Sequence, residues 1–394
     1  MTLPELVEQL KSDNYKKKDL IVPANNIRMK DGCLVVSGKE QTEISGLLDG
    51  LGIAETDAGE VNMTLSVTDI AHAQVGAKLE IPKNYYDRMK DKSVPLLDTN
   101  VSHWFAQSEA NLLLRTFIDK EEKNGFCRAL LSDRYNIIDH YDVLFATLDA
   151  IKESGVNLQI QQCDLTDKKM YISFVCPEIE VQAKELVRNY KVPNGSPMDG
   201  NAGVVTGFVI GNSEIGLGSF FIAPRATVLA CRNGLTFSKD AFSKIHLGSK
   251  LDAYESTIKW SKQTKEKNYE LVCSQVADAV KTFCSADYLT AKVHELTLLN
   301  SKEIVNKIDV IKNVSKEFSY DKAKEEKLLE YFLGQNDTSP FGVVQALTLY
   351  AHRDTRDGDE QFETENQAML VLASIEKYDT VFTEKPSRKT FSKN

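Results

Sequence analysis

The sequence lacks most of what would mark a disulfide scaffold, a zinc site or a membrane anchor. Its seven cysteines (Cys33, Cys127, Cys163, Cys176, Cys231, Cys273 and Cys284) are scattered, with no CxxC pair. An odd number of isolated thiols suits a reducing compartment and leaves no ready set of zinc ligands. The six histidines are equally dispersed, and neither HxxxH nor HExxH occurs. Apolar runs such as LLLRTF, ATVLAC and MLVLASI are far shorter than the roughly 20 residues a spanning helix needs. The opening residues MTLPELVEQLKSDN lack the charged-then-apolar shape of a signal peptide, so the expectation is a cytoplasmic protein with no membrane partner.

A surplus of positive charge is missing too. The net charge of −9 argues against nucleic-acid binding by the whole surface. The charge is uneven, however: residues 225–267 hold nine Lys/Arg against four acids. Locality matters more than the total, because phosphate attraction acts over a Debye length of about 8 Å at physiological salt.

Catalytic signatures are absent as well. There is no GxxxxGK[ST], no GxGxxG opening a helix and no GxSxG elbow. The segment GNSEIGLGSFFIA has glycines, but a strand follows them, whereas a phosphate-binding loop presents backbone N–H groups at a helix N-terminus. Cys231 closes an apolar strand, the usual place of a buried thiol. No cofactor, metal site or catalytic residue is expected on these grounds. An enzyme that assembles Glu214, Asp133 and His246 through space into a metal-dependent nuclease or nucleotide-processing site is the alternative. A protein-interaction factor, such as an inhibitor of host defence, is a further one.

What is present reads as an α+β protein. LPELVEQLKSD has helical spacing, and Asp31-Gly32 marks a tight hairpin turn. DGLGIAETDAGEV reads as loop. SVTDIAHAQVGAKLEI reads as a helix capped by Ser66 or Thr68, and KNYYDRMKD as a second one after Pro82. From Asn111 the period becomes two: a strand pair around residues 120–125, a helix opening at Asp139 and ending at Gly155, and a hairpin turning at Thr166-Asp167. VPNGSPMDGNAG reads as loop, followed by strand, turn and strand over 207–235. Beyond Ser249 helical spacing dominates, although the acidic stretch at 354–365 reads as a solvated loop.

These elements suggest a mixed N-terminal region (1–110), an α+β core of β-hairpins packed on a helix (111–250), a helical C-terminal region (251–380) and a disordered basic tail (381–394). Two strand ends in the core carry polar corners, LLSDRY with Asp133 and Arg134, and ACRNG with Arg232 and Asn233. Asn233-Gly234 suits a left-handed turn. These corners would either shape loops through internal salt links or form a shallow groove from Arg128, Arg134, Tyr135, Arg225, Arg232, Asn233, Lys244 and Lys250. Arginines interleaved with an aromatic face suit single-stranded nucleic acid.

The motifs IPKNYYDRM, LLLRTF with CRALLSDRY, VVTGFVIGNSEIGLGSFFIAPRATVLACRNGL with HLGSK, and PFGVVQALTLYAHRDT occur in an order that resembles the phage/plasmid-like protein family, over roughly Ile81 to His352. In that pattern Arg232 occupies a place where a small polar residue is expected, so Asn233 is the firmer of the two. More distantly, the order of helix, hairpin, strand pair and basic helical run resembles the single-strand annealing recombinase superfamily, the Redβ/RecT and Erf groups and the eukaryotic annealing mediator. That resemblance implies a non-enzymatic protein that coats single-stranded DNA and promotes strand annealing in phage or plasmid recombination. It further implies a homo-oligomeric ring or helical filament in a bacterial host cell, with a phage exonuclease or a single-strand-binding protein as partner.

Overall fold

The computed structural model describes residues 1–39, 60–118, 125–135, 137–188, 202–229, 233–244, 262–302, 304–335 and 337–379. The chain is α+β and divides into two compact units. The first unit takes Met1–Phe145, Asn212–Phe220 and Lys244–Ser261; the second takes Ala146–Gly211, Phe221–Ser243 and Lys262–Asn394.

The first unit opens with α1 (Leu3–Lys16), where Thr2 and Glu5 form a reciprocal capping box and Leu6 and Leu10 are buried. The basic knot ends this helix and starts β1 (Lys17–Pro23), a strand that the sequence pattern does not announce. β2 (Ile27–Lys30) and β3 (Cys33–Lys39) form the expected hairpin. Asp31 and Gly32 have φ of 53° and 75°, the positive values a type I′ turn requires at both central residues. β4 (Glu60–Val67) leads into α2 (Asp69–Lys78), capped by Thr68, whose hydroxyl accepts from the Ala71 N–H. Then come α3 (Lys83–Lys92), α4 (Val94–Ala106), β5 (Asn111–Ile118), β6 (Gly125–Ser132) and the start of α5 (His140–Ser154), which ends at Gly155 with φ 69°.

The sheet order is β1-β5-β6-β4-β3-β2, antiparallel except for the parallel β4–β6 pair. One face shares a core with α2, α3 and α4: Leu34, Leu65, Leu114 and Leu130 join Val75, Tyr86, Met89, Leu97, Val101 and Phe105. Each such side chain, fully buried, contributes about 1.5–3 kcal/mol. The opposite face carries Leu113, Ala129 and Leu131, packed with Tyr135 and Ile215. Because side chains alternate along a strand, Arg115 shares that second face with Leu113. It lies at a β-bulge between Arg115 and Thr116.

The second unit is built on β7 (Gln159–Leu165), β8 (Met170–Gln182), β9 (Gly203–Asn212), β10 (Phe220–Val228), β11 (Asn233–Thr236) and β12 (Phe242–Lys244). The strand order is β11-β10-β9-β8-β7, with β12 also paired to β10. Strand β9 is buried along its whole length, which explains its unbroken apolar sequence. A Cβ at Gly207 would fall 2.0 Å from the Phe174 carbonyl oxygen. Asn233-Gly234 does not form a left-handed turn: both residues lie in β11, opposite Val228 and Thr227.

The helices are α6 (Lys262–Phe283), α7 (Ala286–Asn300), α8 (Lys307–Glu317), α9 (Lys322–Gly334), α10 (Pro340–Arg353), α11 (Gly358–Ala373) and α12 (Ile375–Tyr378). Helix α10 is apolar almost all round and buried from Pro340 to Leu349, the pattern of a core helix. The acidic stretch is not a solvated loop. Asp357 caps α11 by accepting from the Glu360 N–H, and acids in a first helical turn are favoured by the helix dipole. No helix among the described residues is long and apolar enough to cross a membrane.

Candidate nucleic-acid interface

Of the eight residues expected to line a groove, Arg232 and Lys250 lie outside the described residues, as does His246, and only the backbone of Asn233 and Lys244 is described. The other four separate sharply. Arg128, Tyr135 and Arg225 are turned into the fold, and Arg134 is exposed.

Arg128 donates from Nη1 to Glu214 Oε2 at 2.9 Å, and its guanidinium carbon lies 3.9 Å from the Phe117 ring centroid. The Tyr135 hydroxyl donates to the Ser213 carbonyl at 3.1 Å, and burial pushes its pKa upward. These contacts explain the NSE segment. Asn212 donates through Nδ2 to the Ile138 carbonyl at 3.0 Å, and the Ser213 hydroxyl accepts from the Leu217 N–H. Glu214 Oε1 accepts from the His140 N–H at 2.7 Å, so a carboxylate closes the N-terminus of α5. Gly216, with φ 77°, permits the bend.

Beneath this corner lies a network of buried charge. Arg115, fully buried, donates to both carboxylate oxygens of Asp19 and to Asp139 Oδ1 at 2.6 Å. Its Nη1 reaches the Glu214 carbonyl at 2.8 Å, and Lys17 pairs with Asp139. Burial disfavours the charged form of Glu214, but His140, Arg128, Arg115 and the His140 N–H outweigh it and hold the carboxyl at about 2. Burial pushes His140 down to about 4, so its ring is neutral near pH 7. Both carboxylate oxygens of Glu214 are thus committed inside the fold.

In the second unit Arg225 donates to Glu365 Oε1 at 2.9 Å. Glu365 Oε2 accepts from the Thr236 hydroxyl at 2.8 Å. His352 Nε2 faces the Gly234 N–H at 3.2 Å and Arg225 Nη2 at 3.3 Å, with Glu365 Oε1 also at 3.3 Å; the two donors aimed at it favour a lone pair there. Burial lowers the His352 pKa and outweighs the opposing pull of Glu365. Arg225 therefore ties β10 to α11 and is not presented to solvent.

The exposed corner is different. The Tyr135 N–H donates to the Ser132 carbonyl and the Arg134 N–H to the Ser132 hydroxyl, forming a tight turn that turns Arg134 outward. Antiparallel pairing of Leu112 with Ser132 sets this turn beside the start of β5. The ends of α2 and α4 complete a cleft of about 310 Å³ lined by Lys78, Leu79, Phe105, Ser108, Ala110, Asn111, Leu112, Ser132, Asp133 and Arg134. Its cations, Lys78 and Arg134, are exposed, and neither side chain is ion-paired with a described residue. The sequence pattern points to Arg134 but not to Lys78. The one local signal for Lys78 is a basic residue closing a helix just before the LEIP breaker.

No family model matches the chain, and neither a curated protein nor a solved structure matches it.

Proposed function

We propose that this chain is a non-enzymatic single-stranded DNA-binding protein that promotes strand annealing as a homo-oligomer, and that its first unit contacts DNA at the Lys78–Arg134 cleft. The observation that supports this reading is the contrast among the arginines. Arg115, Arg128 and Arg225 are used up by internal carboxylates, whereas Arg134 and Lys78 are both exposed and line one cleft, together with Leu79, Ser132 and Asp133. Two exposed cations on one cleft suit the phosphates of a single strand, the electrostatic half of single-strand binding. A chain of net charge −9 can bind DNA in this way only at a confined patch, since its whole-surface field is repulsive.

The test is fluorescence anisotropy of a labelled oligonucleotide over a salt series. Binding should weaken as salt rises. Lys78→Glu/Arg134→Glu should lower affinity and flatten the log–log salt slope by about 0.7 for each phosphate no longer neutralised. A folded protein that leaves the oligonucleotide unshifted at low salt refutes the reading.

A further inference from the structure

In the second unit, we infer that the contact between β10 and α11 contains a binding site for one water molecule, held by Ser173 and Arg225. The site is independent of the proposed DNA contact. Its placement follows from the sheet. Gln162 on β7 lies opposite Ser173 on β8, and residues directly opposite each other share one face. Gln162 exchanges amide hydrogen bonds with Gln361 of α11, and Arg225 donates to Glu365 on the same helix. Ser173 therefore stands on the face that α11 covers. All of these residues, with Asp164, line one cavity of about 20 Å³.

Two groups in that cavity call for a partner. Ser173 is 3% exposed and Arg225 5%. The Ser173 hydroxyl and the Arg225 Nε–H nonetheless find no hydrogen-bond partner among the described residues. Buried polar groups in native proteins are as a rule paired, either within the protein or with ordered water.

Size and charge select the ligand. One water needs about 10–15 Å³ of such space, so this cavity holds a single water and excludes polyatomic ligands. A cation has no lone pair with which to accept from the Arg225 Nε–H. An anion accepts, but it meets the carboxylates of Asp164 and Glu365 against one guanidinium. Water is neutral. It accepts from Arg225 Nε, pairs with the Ser173 hydroxyl in either direction and keeps a hydrogen for a carboxylate. Three partners are the usual number for a buried water, whereas cavities that stay dry are apolar. Through this water Ser173, two strands away from Arg225 in the sheet, becomes part of what holds β10 to α11.

The first test is a high-resolution crystal structure of the full chain, from crystals grown with bromide in place of chloride. One peak within about 3.2 Å of both Ser173 Oγ and Arg225 Nε, without anomalous bromide signal, is the expected result. A bromide signal there, or no peak, overturns the inference. The second test is the thermal midpoint of Ser173→Ala, which removes the hydroxyl without adding bulk. If the hydroxyl binds water, the midpoint should fall by about 2–4 °C. An unchanged or raised midpoint means that an unpaired hydroxyl was removed, and it overturns the inference as well.

Discussion

Both units bury an arginine against carboxylate, and the surroundings differ in a way that bears on what each arginine does. Arg115 in the first unit meets two carboxylates, Asp19 and Asp139, and a backbone carbonyl, with Lys17 and the Glu214–Arg128 pair adjoining. Arg225 in the second unit pairs with the single carboxylate Glu365, beside a neutral histidine. The first arrangement is a junction joining β1, β5, α5 and the NSE bend. The second is a clasp between a strand and a helix. A junction fails at several joints when its centre is removed, and a clasp fails at one.

Arg115→Met tests the junction and should show the largest effect. Removing the cation leaves Asp19 and Asp139 without their shared partner, and breaking a buried pair in this manner costs about 3–5 kcal/mol. Urea unfolding should show the midpoint falling by an amount consistent with that loss. A loss below about 1 kcal/mol, the scale of an exposed pair, would mean that Lys17 alone satisfies Asp139 and that the junction is not cooperative.

The clasp can be opened without touching either charge. A Cβ at Gly234 would fall 2.1 Å from Arg225 Nη2 and 2.2 Å from its Nε, so Gly234→Ala must push the guanidinium away from Glu365. The expected cost is about 3 kcal/mol, the low end for a broken buried pair. Gly216, the bend glycine of the first unit, offers the contrast. There a Cβ would meet the Leu131 Cδ2 methyl at 2.7 Å, a side-chain end that can shift. Gly216→Ala should cost about 1–2 kcal/mol, mostly through its positive φ. If the two substitutions rank the other way in thermal melts, the guanidinium of Arg225 is free to relocate and the clasp reading fails.

Acid should weaken both units. His140, held at about 4 against an unfolded value near 6.5, is neutral in the fold and protonates first in the unfolded chain. Its contribution is therefore full above about pH 6.5 and lost as pH falls towards 4. His352, lowered by burial, acts in the same direction in the second unit. Glu214, held at about 2, adds a second stage in the first unit: its contribution is present above about 4.5 and lost as pH falls towards 2. Asp240 acts in the same direction in the second unit, where hydrogen bonds from Lys292 and Tyr288 outweigh burial and hold it below the usual carboxylate range. Asp13 and Asp142, raised by burial, offset part of that second stage. Stability measured in urea should decline from pH 7 to pH 4, and His140→Asn should flatten that slope. A flat wild-type profile over this interval would contradict two buried neutral histidines.

How much of this was legible in the sequence follows from the range of the forces involved. Local signals were readable: Asp31-Gly32, the Thr68 cap, the stop at Gly155 and the hairpin at Thr166 all depend on neighbours a few residues away. The junction was not. Arg115 sits in an apolar run, and its partners are separated from it by 96 and 24 residues, so nothing nearby distinguishes it from a core position. The acidic stretch at 354–365 misled for a related reason. Its charge looked like solvation, but Glu365 is matched by Arg225, 140 residues away. Interleaved units add to the difficulty, because the NSE bend belongs with residues before 145 while its flanking strands belong to the second unit.

The smallest expected change in stability is at the corner where function is proposed. Arg134 is exposed, makes no ion pair with a described residue and sits in a turn held by backbone and Ser132 contacts that do not involve its side chain. Arg134→Glu should therefore leave stability within about 0.5 kcal/mol, as surface substitutions away from buried networks do. It should nevertheless weaken oligonucleotide binding, because it reverses one of the two exposed cations that line the cleft. The comparison with Arg115 then becomes a double dissociation: one arginine whose loss destabilises the fold, and one whose loss matters only to a ligand. Paired melts and anisotropy titrations decide it. A large drop in thermal midpoint for Arg134→Glu would make this corner another structural junction, and the cleft would lose its claim to be a binding site.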